Sequence, residues 1–246
     1  MKKEEESCLV VDAGNTSVKV ARFKKNELVR LERFSSDQRV ALHEYLSSFK
    51  SDQSILASVL EDSEKKMLIN TLNPTVILTT ETSLPIDLSS YKSPKTLGVD
   101  RIANAVAGYH FSGKKNALII DIGTCVKFDF INAKGIYQGG SISPGLAMRY
   151  KSLAHFTGQL PELNGIQKVD FMGDSTNNCI YSGVINGLTA EITSFLRHYN
   201  QRFNQLTIFL TGGEHKYFDK AFKNSIFVDE NLTLKGLKLI LDHNEV

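Results

Sequence analysis

Two segments of this 246-residue chain repeat one pattern, an apolar run that ends in Asp-x-Gly and continues into threonine, valine and lysine. The first is LVVDAGNTSVK at 9–19, and the second is LIIDIGTCVK at 118–127. When Asn15 is left out of the alignment, leucine, aspartate, glycine, threonine, valine and lysine coincide. Two copies are too few for a solenoid, so the repeat predicts a duplicated α/β domain whose halves each open with a hairpin. Chance resemblance between two buried strands is the alternative, but it explains the matching polar residues poorly.

Strands that alternate with helices follow each hairpin, as expected of two α/β halves. The polar stretch SGKKN at 112–116 separates the halves, because the hairpin pattern restarts directly after it. We therefore predict an N-terminal domain at 1–113 and a C-terminal domain at 114–246. The main predicted elements are strands at 9–11, 18–23, 54–60, 76–80, 117–121, 126–131, 135–142 and 206–210, and helices after 37, at 61–72, at 101–111, near 144 and at 176–203.

Charge and cysteine content exclude several classes of protein. The chain has 29 basic and 27 acidic residues, for a net charge of +2, and the basic residues are scattered. We therefore expect no nucleic-acid partner. Three cysteines without CxxC spacing indicate a reducing compartment rather than a disulfide framework. No apolar stretch approaches the ~20 residues of a membrane span. We expect a cytoplasmic protein with no membrane partner.

The first turn, DAGNTSVK at 12–19, has the chemistry of a phosphate-binding turn. Gly14 allows a close backbone approach, while Thr16, Ser17 and the backbone amides offer hydrogen-bond donors. Lys19 adds a positive charge, and a carboxylate at Asp12 could hold Mg²⁺ beside phosphates. Since Asp and Gly are also common turn formers, a single Asp-x-Gly is more simply a plain turn. The second copy, and a later strand that ends in Thr-Gly-Gly at 211–213, favour a nucleotide site.

Five stretches of the sequence carry a family resemblance: DAGNTSVK at 12–19, LGVDR at 97–101, DIGTCVKFD at 121–129, GGSISPGLAMRYKSLAHFTGQLP at 139–161 and the segment 175–183. Through them the chain resembles the superfamily of actin, the sugar kinases and the heat-shock ATPases, and within it the type III pantothenate kinases. The resemblance implies an α/β, duplicated actin-like (ribonuclease H-like) two-domain fold, with mixed sheets flanked by helices and a nucleotide cleft between the domains. It also implies ATP-dependent phosphorylation of pantothenate, the first step of coenzyme A synthesis.

The resemblance makes Asp100 the general base and Arg101 the partner of the substrate carboxylate or of the transferring phosphoryl group. Taken without the resemblance, Asp100 reads as a helix N-cap and Arg101 as an exposed surface arginine. The substrate would also contact Tyr91, which otherwise reads as a surface loop tyrosine, and Thr176, which otherwise reads as an N-cap. Backbone contacts with the substrate are implied for Gly98 and Val99.

The resemblance further implies a homodimer and a monovalent cation, K⁺ or NH₄⁺, bound at Asp121. One departure affects the cation. We expect the family's second hairpin to read DxGTAxTxD, whereas this chain has Lys127 where the second threonine stands. The Lys127 ammonium could approach Asp121 or Asp129 and partly replace the cation, or it could point to solvent. The residues implied to contact ATP are Asp12, Gly14, Asn15, Thr16, Ser17, Lys19 and Thr124.

Two other functions stay open on sequence grounds. One is a non-catalytic relative that acts as a transcription accessory factor, although Asp12, Asp100 and Asp121 are all retained. The other is a different small-molecule kinase of the superfamily. The LGVDR and GGSISPGL stretches point away from sugar kinases, and an assay with pantothenate against a panel of sugars and acetate separates the three functions.

Overall fold

The computed structural model describes residues 7–49, 53–218 and 226–245, and the chain divides into two compact units. The first unit comprises Met1–Phe111, Gly135–Tyr137 and Asn231–Val246. The second comprises Ser112–Lys134 and Gln138–Glu230. The division near residue 112 lies beside the predicted boundary, but the C-terminal segment, which we predicted to belong to the domain at 114–246, groups with the first unit.

The first unit contains a mixed sheet that begins with the first hairpin. Its strands are β1 (Ser7–Ala13), β2 (Ser17–Lys24), β3 (Glu27–Ser35), β4 (Gln53–Ser58) and β5 (Val76–Ile77). Their order across the sheet is β3-β2-β1-β4-β5. Strand β1 is antiparallel to β2 and parallel to β4. All of its interior residues except Asp12 are buried, as expected of a strand covered on both faces.

The second unit repeats this topology. Its strands are β6 (Ala117–Ile122), β7 (Cys125–Ile131), β8 (Tyr137–Pro144), β9 (Thr207–Thr211) and β10 (Ile226–Val228). Their order is β8-β7-β6-β9-β10, and β6 is antiparallel to β7 and parallel to β9. Each strand therefore has a counterpart in the first sheet, with β6 in the place of β1. The predicted duplication and fold class are confirmed, because the two hairpins occupy equivalent positions in two mixed sheets.

Helices pack against both sheets, and each unit has its own apolar core. Helix α2 ends where the sequence predicts, because Asn73 adopts a left-handed conformation and Pro74 follows it. Among the helices of the described ranges, none combines the length and the apolar character that crossing a membrane requires. The helices are α1 (Arg39–Ser47), α2 (Asp62–Leu72), α3 (Val99–Phe111), α4 (Leu146–Phe156), α5 (Thr176–Arg202) and α6 (Leu232–His243).

Two local features differ from the pattern in the sequence. Strand β3 was not predicted, because it lies at the sheet edge and most of its residues are exposed or half-buried, which weakens the alternation that marks a strand. The spacing of Val40, Leu42 and Leu46 roughly predicts one apolar face for α1, but only Leu42 and Leu46 are buried, and Val40 is 74% exposed.

Helix α6 packs on α3 within the first unit, which explains why the end of the chain belongs there. The Thr233 hydroxyl donates a buried hydrogen bond of 2.8 Å to the Asn104 side-chain oxygen. A side chain at Gly236 would place its Cβ 1.9 Å from the Ala103 carbonyl oxygen. Small residues therefore let the two backbones meet closely, and α6 fixes the helix that carries Asp100 and Arg101.

Replacing Gly236 with alanine should destabilise the protein by about 1–3 kcal/mol, because the added methyl group cannot fit without moving α6 away from α3. Chemical unfolding monitored by circular dichroism measures the change. Gly187 in α5 is the matched control, since nothing lies within 4 Å of an added Cβ there. G187A should be neutral or more stable, by up to about 1 kcal/mol, because alanine favours helix over glycine. Equal unfolding midpoints for G236A and wild type would contradict the close packing.

Candidate functional site

An aspartate and a lysine face each other in the first hairpin. Antiparallel pairing of β1 with β2 sets Asp12 opposite Lys19, and Lys19 Nζ lies 3.9 Å from Asp12 Oδ2. Both side chains are mostly buried, with exposed fractions of 20% for Lys19 and 16% for Asp12. The pair stands at the end of a buried strand, where charged groups are costly unless they are paired or bind a ligand.

The tip of this hairpin is an open polar turn. The Gly14 amide donates to the Ser17 carbonyl at 3.1 Å and closes it. Asn15 and Thr16 are exposed at the tip. Backbone amides and short polar side chains held between two strands form a surface suited to phosphate oxygens.

The second hairpin reproduces this arrangement with a shorter turn. Asp121 lies opposite Lys127 in the pairing of β6 with β7, and Lys127 Nζ lies 2.8 Å from Asp121 Oδ2. The Gly123 amide donates to the Cys125 carbonyl at 3.1 Å, and Thr124 is exposed at the tip. The internal repeat therefore extends to the side-chain chemistry, with an Asp–Lys pair at the same register in each unit.

The contact of Lys127 decides one alternative that the sequence left open. The ammonium lies against Asp121 rather than pointing to solvent, and the Lys127 side chain is only 17% exposed. The Asp121 oxygen that would receive K⁺ or NH₄⁺ thus already faces a cation of the chain itself. The residues at this position do not fit the monovalent-cation site that the resemblance implies.

The Thr-Gly-Gly turn after β9 lies beside the second hairpin. Gly212 has φ of 93°, which favours glycine, and the Glu214 amide donates to the Ile122 carbonyl at 2.9 Å. The Glu214 carboxylate accepts a bond of 3.4 Å from the Leu146 amide at the start of α4. Burial raises the pKa of Glu214, and the bond from Leu146 partly opposes this. We assigned no role to Glu214 from sequence, although a carboxylate directly after a glycine pair at a strand end was a usable signal.

Asp100 lies in the first turn of α3, not at its N-cap, because the helix already begins at Val99. Its Oδ1 accepts a hydrogen bond of 2.9 Å from the Arg101 amide. The carboxylate folds over Gly98, where a Cβ would stand 2.6 Å from the same oxygen. The carboxylate is half-buried and held at the junction between a loop and a buried helix, which suits a positioned base.

Arg101 differs from the plainer interpretation of its sequence position, whereas Tyr91 still fits a loop tyrosine packed on the protein. Arg101 is 6% exposed and is therefore a buried cation rather than a surface arginine. Tyr91 is half-buried, with its ring 5.4 Å from that of the fully buried Tyr137. Both belong to the first unit, together with Asp100 and the first hairpin.

Thr176 is the first residue of α5 and is exposed. The N-cap is Ser175, whose side chain accepts a bond of 3.4 Å from the Asn178 amide. The alternative role of Thr176 as a cap is therefore wrong. Thr176 belongs to the second unit with Asp121 and Thr124.

A network of one ion pair and its hydrogen bonds holds the GGSISPGL segment against α5. The sequence predicts the importance of the segment but not this network. Arg149 Nη2 lies 2.5 Å from Glu191 Oε2, and its Nε donates to the Pro144 carbonyl at 2.8 Å. The Ser143 hydroxyl donates to the same Glu191 side chain. No signal in one sequence links residues some forty positions apart, so this network is visible only in the fold.

The donor groups fit Mg²⁺ in one respect. Within 7–49, 53–218 and 226–245, no three His, Cys, Asp or Glu side chains cluster closely enough to hold a metal ion. Mg²⁺ at a nucleotide needs only one or two carboxylates, because phosphates and water complete its shell. Asp12, at the base of the first turn, has the chemistry for this position.

Comparisons with known proteins identify relatives of this chain. The family model for type III pantothenate kinase matches residues 8–198. A type III pantothenate kinase of Phocaeicola vulgatus is 39% identical over 96% of this chain and 98% of its own length. A solved structure from Campylobacter jejuni, assigned to the Baf family of transcriptional activators, has a TM-score of 0.65 at 24% identity, with 96% of this chain and 98% of that one covered.

The fold also extends to more distant proteins. An inorganic polyphosphate/ATP-glucomannokinase from Arthrobacter has a TM-score of 0.51 at 15% identity and covers 98% of this chain and all of its own, 100%. At such identities the two solved structures support the fold alone. The full-length identity to the curated kinase and the family match carry the assignment: the chain belongs to the type III pantothenate kinase family.

Proposed function

We propose that this protein transfers the γ-phosphoryl group of ATP to the primary hydroxyl of pantothenate, which yields 4′-phosphopantothenate and ADP. This reaction is the first step of coenzyme A synthesis. The observation that carries the proposal is the family match over residues 8–198 in a chain that retains Asp12, Asp100 and Asp121.

In this proposal both hairpin turns bind the phosphates of ATP. The first turn contributes its backbone amides at 14–17, the hydroxyls of Thr16 and Ser17, and the Asn15 side chain. The second contributes Thr124, which is exposed at its tip. Lys19 supplies positive charge, and Asp12 holds Mg²⁺, which neutralises phosphate charge when it is bound.

Asp100 acts as the general base. As the pantothenate hydroxyl oxygen bonds to the γ-phosphorus, its proton passes to the Asp100 carboxylate and the bond from that phosphorus to the bridging oxygen breaks, which releases ADP. Arg101 binds the pantothenate carboxylate, and its burial favours this because a charge-assisted bond strengthens away from water. The rest of the substrate contacts Tyr91, Thr176 and the backbone of Gly98 and Val99.

Replacing Asp100 with asparagine should lower kcat by about 10²–10⁴-fold, because Asn keeps the acceptor for the Arg101 amide but cannot take the proton. ADP release in the presence of ATP and Mg²⁺ measures this, with sugars and acetate as acceptors alongside pantothenate. D37N is the matched control, since Asp37 is exposed and bonded only to neighbours in the part of the chain that the structure describes. Full activity of folded D100N would reject Asp100 as the base. Absence of ADP release with every one of these acceptors would favour the non-catalytic alternative.

We also propose that the protein is a homodimer in the cytoplasm. Three large apolar side chains of the second unit are strongly exposed, namely Phe156 at 80%, Phe171 at 87% and Met172 at 84%, and a subunit interface would cover them. Sedimentation velocity should give twice the 27.4 kDa of one chain, and a single species at 27.4 kDa would contradict the dimer.

The state of the cysteines supports the cytoplasmic location. All three are free thiols, which suits a reducing compartment. Cell fractionation tests the location, and recovery of the protein outside the cytoplasmic fraction would contradict it.

A further inference from the structure

The Asp121 carboxylate lies in a confined place. It follows four fully buried residues of β6, the central strand of the second sheet, and its side chain is 12% exposed. Lys127 Nζ contacts Oδ2 at 2.8 Å. On the other side, an added Cβ at Gly212 would stand 2.5 Å from Oδ1. One oxygen therefore faces an ammonium group and the other faces the backbone of the Thr-Gly-Gly turn.

A carboxylate in such surroundings needs a positive charge nearby, because few waters reach it. The register of the hairpin supplies one, since directly opposed residues of an antiparallel pair bring their side chains together. A free K⁺ or NH₄⁺ at the same oxygen would meet the Lys127 ammonium as a like charge. A tethered ammonium also binds without the loss of translational freedom that a free ion suffers.

The first hairpin shows that this pairing belongs to the repeat. Lys19 and Asp12 occupy the same register, but their atoms lie 3.9 Å apart rather than 2.8 Å. The same two residue types thus meet across both hairpins, and the contact is tighter in the second. The tighter contact occurs where the family resemblance places a separate monovalent cation.

We infer that Lys127 is the resident cation of the Asp121 site and that the protein is independent of K⁺ and NH₄⁺. Lys127 is a positioning residue: it neutralises Asp121 and keeps the strand that leads into the Thr124 turn in place beside the Gly212 backbone. The inference rests on the proposed function where enzyme activity is measured, but binding of K⁺ at Asp121 can also be measured without substrate.

The test compares initial rates of ADP formation with pantothenate in KCl and in NaCl at equal ionic strength. Wild type should give the same rate in both salts. K127T removes the ammonium and opens space beside Asp121, so K⁺ should stimulate it about tenfold or more over Na⁺. K127R keeps the charge and should stay indifferent to the salt. K216T is the control, because Lys216 forms an exposed ion pair of 3.7 Å with Glu230 in the same unit.

Thermal unfolding without substrates provides the second readout. The midpoint of K127T should be higher in KCl than in NaCl, because an ion that binds only the folded state stabilises it, whereas wild type and K216T should show no difference. Marked stimulation of wild type by K⁺ would overturn the inference, and so would a K127T protein that is indifferent to the salt in both readouts. If K127T does not fold, wild type and K127R still test the inference, because a K⁺ requirement in either protein contradicts it. Failure of the proposed function gives a different result: no pantothenate-dependent ADP release in any salt, with the unfolding comparison unaffected.

Discussion

A buried aspartate with a lysine directly across the hairpin is the interaction on which the rest of this structure depends. It occurs once per unit, at Asp12 with Lys19 and at Asp121 with Lys127. Each carboxylate stands at the end of a central strand, where an isolated charge would be unstable. The lysine ammonium lowers the energetic cost of burying the carboxylate, and the register of the two strands places the lysine opposite the aspartate. The consequence is a polar turn at the same position of two equivalent sheets.

The residues proposed to bind the substrate rely on a different kind of contact, the close packing of small residues. Helix α3 is buried from Arg101 to Gly108, and α6 lies directly on it through Gly236 and the bond between Thr233 and Asn104. A helix that is packed on all sides moves little, so the side chains of its first turn keep a defined orientation. Helix α6 therefore supports the helix that carries Asp100 and Arg101, the proposed base and the proposed carboxylate-binding residue.

Much of this could be predicted because the informative residues are local. The repeat identified both hairpins, and the duplicated topology follows from it. Asn73 and Pro74 marked the end of α2, and the apolar spacing marked α5. What failed depended on tertiary context. Edge strand β3 has few buried residues, α6 leaves the predicted C-terminal domain because its apolar face packs on α3, and the burial of Arg101 has no local signature. The partner of Lys127 also required the fold, since Asp121 and Asp129 were equally available in sequence.

The most direct test of the central proposal, that the two hairpin turns bind nucleotide phosphates, is a titration of isotope-labelled protein with Mg²⁺ and ADP followed by amide resonances. The amides of 14–17 and of 123–124 should shift together and saturate with one dissociation constant. Shifts confined to one of the two turns, or shifts at both with clearly different dissociation constants, would contradict it.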